Sequence, residues 1–175
     1  MKPFIHKYAP RIAKDIIGQD AAIHALRRFI SNYKIQRKKS MLIYGPAGCG
    51  KTSVVYALAN DLGYEIIEMN ASDARNKNQI NEIMGAASKQ MSLFAKGKII
   101  LVEEIDGIAG KADYGGIAAL TKLIKESAFP IIITANNPFD NKLSSIRNIS
   151  EMIQLRALEA ADICKILKTI AKKKK

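Results

Sequence analysis

The most specific chemistry in the chain lies in Gly45-Pro-Ala-Gly-Cys-Gly50-Lys51-Thr52, which fits the pattern G-x-x-x-x-G-K-[ST]. Glycines at these positions let successive backbone N–H groups curl around a β-phosphate, and the positive N-terminus of a following helix adds to that field. Lys51 would reach the β- and γ-phosphates, and the Thr52 hydroxyl would ligate Mg²⁺. The pattern needs a strand before it and a helix after it. Apolar Met41–Tyr44 supplies the first, and Lys51–Leu62, stopped by Gly63, the second. The expected phosphate cradle is therefore Gly45, Pro46, Ala47, Gly48, Cys49, Gly50, Lys51, Thr52 and Ser53, holding a nucleotide and Mg²⁺. The Cys49 side chain has no required role there.

A second stretch, "ILVEEIDGI" from Ile100 to Ile108, ends an apolar strand on two adjacent carboxylates. Such a strand delivers Glu103 and Glu104 to the C-terminal edge of a parallel sheet, where phosphate sites of open α/β folds lie. Glu103 is the candidate for the Mg²⁺ shell, acting through water because Mg²⁺ keeps several of its waters. Glu104 is the candidate base that orients and deprotonates the attacking water. Alone, the pair reads as a solvated strand end; beside a phosphate loop it reads as catalytic.

The elements that must position these groups alternate. Helical spacing of Ile23, Leu26, Phe29, Ile30 and Tyr33 predicts a helix over Asp20–Gln36. Strands are expected at Met41–Tyr44, Glu65–Met69, Lys98–Glu103, Pro130–Ala135 and Met152–Leu155. Helices are expected at Lys51–Leu62, Lys77–Met91 and Ile117–Ser127, and from Leu158 onward, the last with Ile163, Ile166, Leu167 and Ile170 on one side. This order implies βαβ crossovers and a doubly wound parallel five-stranded sheet with helices on both faces.

Composition bounds the rest. The 175 residues suffice for one domain with a full core and leave room for a small appendage. No apolar run approaches the ~20 residues a membrane span needs, and the first residues hold no apolar signal region. Two cysteines, Cys49 and Cys164, suggest reduced thiols and a cytoplasmic location rather than a disulfide framework. Of the formal +12 charge, residues 1–40 carry +8 and Lys172–Lys175 carry +4, while residues 41–171 are neutral. Basic ends favour a polyanionic partner such as nucleic acid; the alternative is that they aid solubility.

Taken together, "HKYAPRIAKDIIGQ", "GPAGCGKT", "NASDARN", "ILVEEIDGI" and "PIIITANNP" resemble, in order, the motifs of AAA+ clamp-loader ATPases of the replication factor C family. "DYGGIAAL", "ITANNP" and "IRNISEMIQL" are similar to the large subunit of the archaeal type, over nearly all of residues 3–171. The resemblance implies that Tyr8 and Pro10, with the backbone around Ile17–Gln19, frame the adenine. It makes Asn136 the polar sensor of the γ-phosphate or lytic water. It also implies that the "NASDARN" element opens a helix lying along DNA, with Arg75 and the amides of Gly115 and Gly116 as phosphate contacts. Implied partners are replication factor C small subunits, a sliding clamp and primer–template DNA, in a nucleoid-associated setting.

The chain also departs from that family. Glu103 stands where the family has Asp, one methylene shorter, and Ala9 stands in the family's Lys-Tyr-Arg-Pro. "LSSIRNISEM" lacks the Ser-Arg-Cys of the small subunits, so Arg147 receives no role in a neighbour's site. The family continues into a helical lid and collar, whereas this sequence ends one helix into the lid, at Lys175. Residues 1–156 are thus expected to form the nucleotide-binding domain and 157–175 the start of the lid. A separate polypeptide supplying lid and collar is the favoured account, and an experimental fragment the other. The expected function is ATP-dependent loading of the clamp. The alternatives are another AAA+ motor on DNA, or a scaffold that binds ATP without hydrolysing it.

Overall fold

Strands whose residues are apolar at every position must be covered on both faces, because successive side chains point to opposite sides. The computed structural model, which describes residues 7–70, 95–109 and 114–173, builds such a sheet. Its strands are β1 (Ser40–Tyr44), β2 (Tyr64–Asn70), β3 (Gly97–Glu103), β4 (Ile131–Ala135) and β5 (Ser150–Gln154). They lie in the order β2-β3-β4-β1-β5, and every pairing is parallel. The helices are α1 (Asp20–Ser31), α2 (Lys51–Leu62), α3 (Tyr114–Glu126), α4 (Ser144–Ile149) and α5 (Ala160–Lys173).

One face of the sheet presents Met41, Ile43, Ile99, Leu101 and Ile132 to Leu26, Phe29 and Ile30 of α1 and to Val54, Val55 and Leu58 of α2. The other presents Leu42, Ile100, Val102, Ile131 and Ile133 to Leu120, Leu123 and Ile124 of α3 and to Ile146 of α4. Each such aliphatic side chain, fully buried, contributes about 1.5–3 kcal/mol relative to exposure. The period-two split between the two clusters follows directly from the strand sequences.

Several boundaries differ from the sequence expectations. The first helix ends at Ser31, and Tyr33–Ile35 forms a 3-10 turn. Asn32 leaves helical geometry there, and Gln36 Nε2 donates back to the Phe29 carbonyl at 3.1 Å, satisfying a terminal acceptor. Tyr33 keeps its helical-looking spacing because its ring is buried and its hydroxyl donates to the Ser127 carbonyl at 3.0 Å. Helix α4 was not expected from the sequence. Helix α3 starts three residues before the expected Ile117. The helix expected over Lys77–Met91 lies outside the described residues.

On α5, the apolar residues split. Ile166 and Ile170 face a cavity over the phosphate loop, whereas Ile163 and Leu167 are 46% and 59% exposed. Among the described residues, no helix is long and apolar enough to cross a membrane. Both cysteines are free thiols, Cys49 buried and Cys164 exposed.

Candidate nucleotide site

Parallel strands bring their C-terminal ends to one edge, and that edge gathers the chemistry. Strand β1 ends at Tyr44 and β3 at Glu103, with β4, ending at Ala135, between them. The loop after β1 is held from both sides. Gly45 N–H donates to the Ala135 carbonyl at 3.3 Å, and Leu155 N–H donates to the Tyr44 carbonyl at 2.7 Å. A side chain at position 45 would place its Cβ 2.5 Å from the Leu155 carbonyl oxygen, so only glycine fits. The loop then enters α2 through Gly50 at φ +98, a left-handed conformation that aims the first helical N–H groups at the loop.

Lys51 is positioned by that loop. Its Nζ donates to the carbonyls of Gly45 at 2.9 Å and Pro46 at 3.0 Å, and to Asn136 Oδ1 at 2.8 Å. The ammonium and the polar residue at the end of β4 therefore meet. One position further on, Thr52 Oγ1 donates to Glu103 Oε1 at 2.7 Å, across the 51 residues that separate them in sequence. A hydroxyl and a carboxylate at that spacing offer the hard oxygen donors Mg²⁺ takes, alongside phosphate and water. Among the described residues no group of three or more His, Cys, Asp or Glu is placed to hold a metal.

Glu104 is exposed and is the one non-glycine residue with positive φ among the described residues, at +52. The strain is held by Glu104 N–H donating to Thr134 Oγ1 at 3.1 Å and Gly107 N–H donating to the Glu104 carbonyl at 2.8 Å. Backbone outliers of this kind cost on the order of 1–3 kcal/mol and cluster at functional positions.

Next to the loop lies a cavity of about 220 Å³, lined by Tyr8, Pro10, Ile16 and Ile17 on one side and Gly48, Cys49, Gly50 and Ser53 on another. Leu158, Ile166 and Ile170 close it. The residues expected to frame an adenine are thus brought together with the loop, and their lining is mainly apolar. Gln19 underlies both parts: its Nε2 donates to the Cys49 carbonyl at 3.1 Å and to the Arg156 carbonyl at 2.9 Å, and the residue is 4% exposed. Arg156 pairs with Asp162 at 2.7 Å. The Asp162 carboxyl is held below its ordinary value by the Glu159 N–H it accepts and by the Arg156 guanidinium.

Arg147 Nη1 donates to the carbonyls of Pro138 and Asp140, both at 2.6 Å, which pins the loop after β4. Gly115 and Gly116 lie in the first turn of α3, the former exposed and the latter buried. Of the "NASDARN" element only Asn70 is described, in register with Glu103 at the sheet edge. Arg75 falls outside the described residues.

Two residues were missed by reading the sequence. Gln19 was noted only for its backbone, and Asp106 not at all. Asp106 accepts the Asn136 backbone N–H. Its signal was a third carboxylate two residues beyond the acidic pair; its partner became visible only once β4 was placed beside β3.

Residues 41–157 match the ATPase family associated with various cellular activities (AAA). The chain belongs to that family, whose domain implies nucleotide binding. Over 174 residues it is 48% identical to the replication factor C large subunit of Nanoarchaeum equitans, covering 99% of this chain and 40% of that protein. The corresponding subunits of Staphylothermus marinus and Thermofilum pendens are 45% and 39% identical, with 41% and 42% of their lengths covered. The chain therefore spans about two fifths of the length of the curated relatives it matches.

Proposed function

We propose that this chain is the nucleotide-binding part of a replication factor C-type large subunit, which uses ATP and Mg²⁺ to load a sliding clamp onto primed DNA. The observation that carries it is the meeting of Lys51 with Asn136, and of Thr52 with Glu103, at one sheet edge. Residues 1–156 form the nucleotide domain in this reading, and 157–175 open a lid whose first helix closes over the adenine cavity. Small subunits, the clamp and primer–template DNA are the partners, and Gly115, Gly116 and Arg75 are candidate DNA contacts. A nucleoid-associated cytoplasmic location goes with that role.

In this reading Lys51 and the loop amides bind the phosphates, while Tyr8, Pro10 and Ile17 exclude water from the base. The Glu104 carboxylate takes the proton of the attacking water, and Asn136 orients the γ-phosphate. Mg²⁺, held by Thr52 and through water by Glu103, would neutralise charge on the phosphates. Among the described residues, Arg147 is engaged with two carbonyls and Arg156 with Asp162. In this reading a neighbouring subunit supplies a transition-state cation, an effect worth ~10³–10⁵ in rate in related phosphoryl transfer. The test is steady-state phosphate release by the chain alone and after addition of small subunits, clamp and primed DNA. Turnover should appear only in the mixture. Full turnover by the chain alone would exclude a site completed by partners.

A further inference from the structure

Neither acidic role assigned above uses Asp106, yet its carboxylate stands between the turn after β3 and the end of β4. Oδ2 accepts the Asn136 backbone N–H, while Oδ1 is buried with no hydrogen-bond partner among the described residues. A carboxylate oxygen withdrawn from water without a donor persists only where the surrounding structure holds it. Here the register of Val102 with Ile133 fixes the two strand ends together. Glu104 N–H on Thr134 and Gly107 N–H on the Glu104 carbonyl then lock the turn that carries Asp106. A cavity of about 280 Å³ opens beside the carboxylate, lined by Asp106, Asn136, Asn137, Asp140 and Leu143.

The contacts run in series. Asp106 holds the Asn136 backbone, and the Asn136 amide oxygen holds the Lys51 ammonium. The Asn136 amide thus meets the phosphate-loop lysine, apart from the residues Tyr8, Pro10 and Ile17 that line the neighbouring cavity. In the nucleotide reading above, the loop amides would hold a second phosphate, and a third, lying past Lys51, would reach Asn136 as well.

We propose that Asp106 is a positioning residue that sets Asn136 for a third phosphate, and so gives the site its preference for nucleoside triphosphate over diphosphate. The inference rests on the nucleotide-binding reading above and deepens it. A hydrogen bond to a charged group, once lost, changes an affinity about tenfold or more. Removing the Asp106 carboxylate should therefore lower triphosphate affinity by about that factor and leave diphosphate affinity unchanged.

Titration calorimetry of the full chain with ADP and with a non-hydrolysable ATP analogue, both with Mg²⁺, tests this. Asp106→Ala should lose about tenfold in triphosphate preference. Asp106→Asn retains an oxygen acceptor for the Asn136 N–H and should keep the preference. Asp106→Glu keeps the charge but shifts the carboxylate by a methylene, and should lose the preference even if the alanine variant does not fold. An unaltered preference in Asp106→Ala or Asp106→Glu would overturn the proposal. So would a loss of ADP affinity as large as that for the triphosphate analogue. If the unaltered chain binds neither nucleotide, the nucleotide reading itself fails, an outcome distinct from either.

Discussion

The Lys51 ammonium lies 2.8 Å from the Asn136 amide oxygen, which ties the first turn of α2 to the end of β4. The same ammonium is shared with two loop carbonyls, so it is restrained before any ligand arrives. Restraint of this kind lowers the ordering cost of binding a phosphate.

Lys51→Ala removes that cation while leaving the glycine loop intact. ATP affinity should fall at least tenfold, or about 1.4 kcal/mol, by titration calorimetry. Unchanged affinity would remove Lys51 from the phosphate site.

The two carboxylates after β3 should separate by role. Glu104→Gln keeps the shape of the side chain but cannot accept a proton, so ATP should stay bound while turnover in the reconstituted mixture is abolished. Glu103→Asp shortens the reach toward Thr52 and restores the residue of the resembling family; turnover should be equal or higher. If Glu103→Gln stops hydrolysis and Glu104→Gln does not, the roles are reversed.

Gly45→Ala places a methyl group against the Leu155 carbonyl, at a distance no side chain tolerates. The backbone after β5 or the phosphate loop must shift. Stability should drop by roughly 1–3 kcal/mol in denaturant unfolding, and nucleotide affinity should fall with it. A variant as stable as the parent would mean that the loop has more freedom than its hydrogen bonds indicate.

Asp162 links stability to pH. Its folded carboxyl is held below the ordinary aspartate value of 3.8 by the Glu159 N–H and Arg156. A depressed folded value contributes stability that is present above 3.8 and is lost as pH falls through the lower folded value. Thermal midpoints of the parent and Asp162→Asn should therefore differ at neutral pH and converge in acid. A gap that persists in acid would assign the effect to packing rather than to charge.

The phosphate loop was legible because each of its residue types answers a local need, and helix α2 because glycines bound it on both sides. The central strands β1, β3 and β4 were legible from apolar runs long enough to need cover on both faces. The end of α1 was not, since Tyr33 keeps helical spacing while its burial is satisfied by a partner from another segment, the Ser127 carbonyl. Strand order was not legible either. Only with β4 between β3 and β1 does Asp106 meet Asn136, and no local pattern encodes that neighbour. The apolar side of α5 was read as one face, yet the cavity takes Ile166 and Ile170 and leaves Ile163 and Leu167 outside.

The buried amide of Gln19 donates to two main-chain carbonyls, at Cys49 in the phosphate loop and at Arg156 before α5. A carbonyl belongs to every residue type, so exchanging the side chains at positions 49 and 156 leaves both acceptors in place. The bond between loop and helix is therefore indifferent to mutational drift at its two ends. It depends on the side chain of Gln19: replacing it by a residue without an amide severs both connections in a single step.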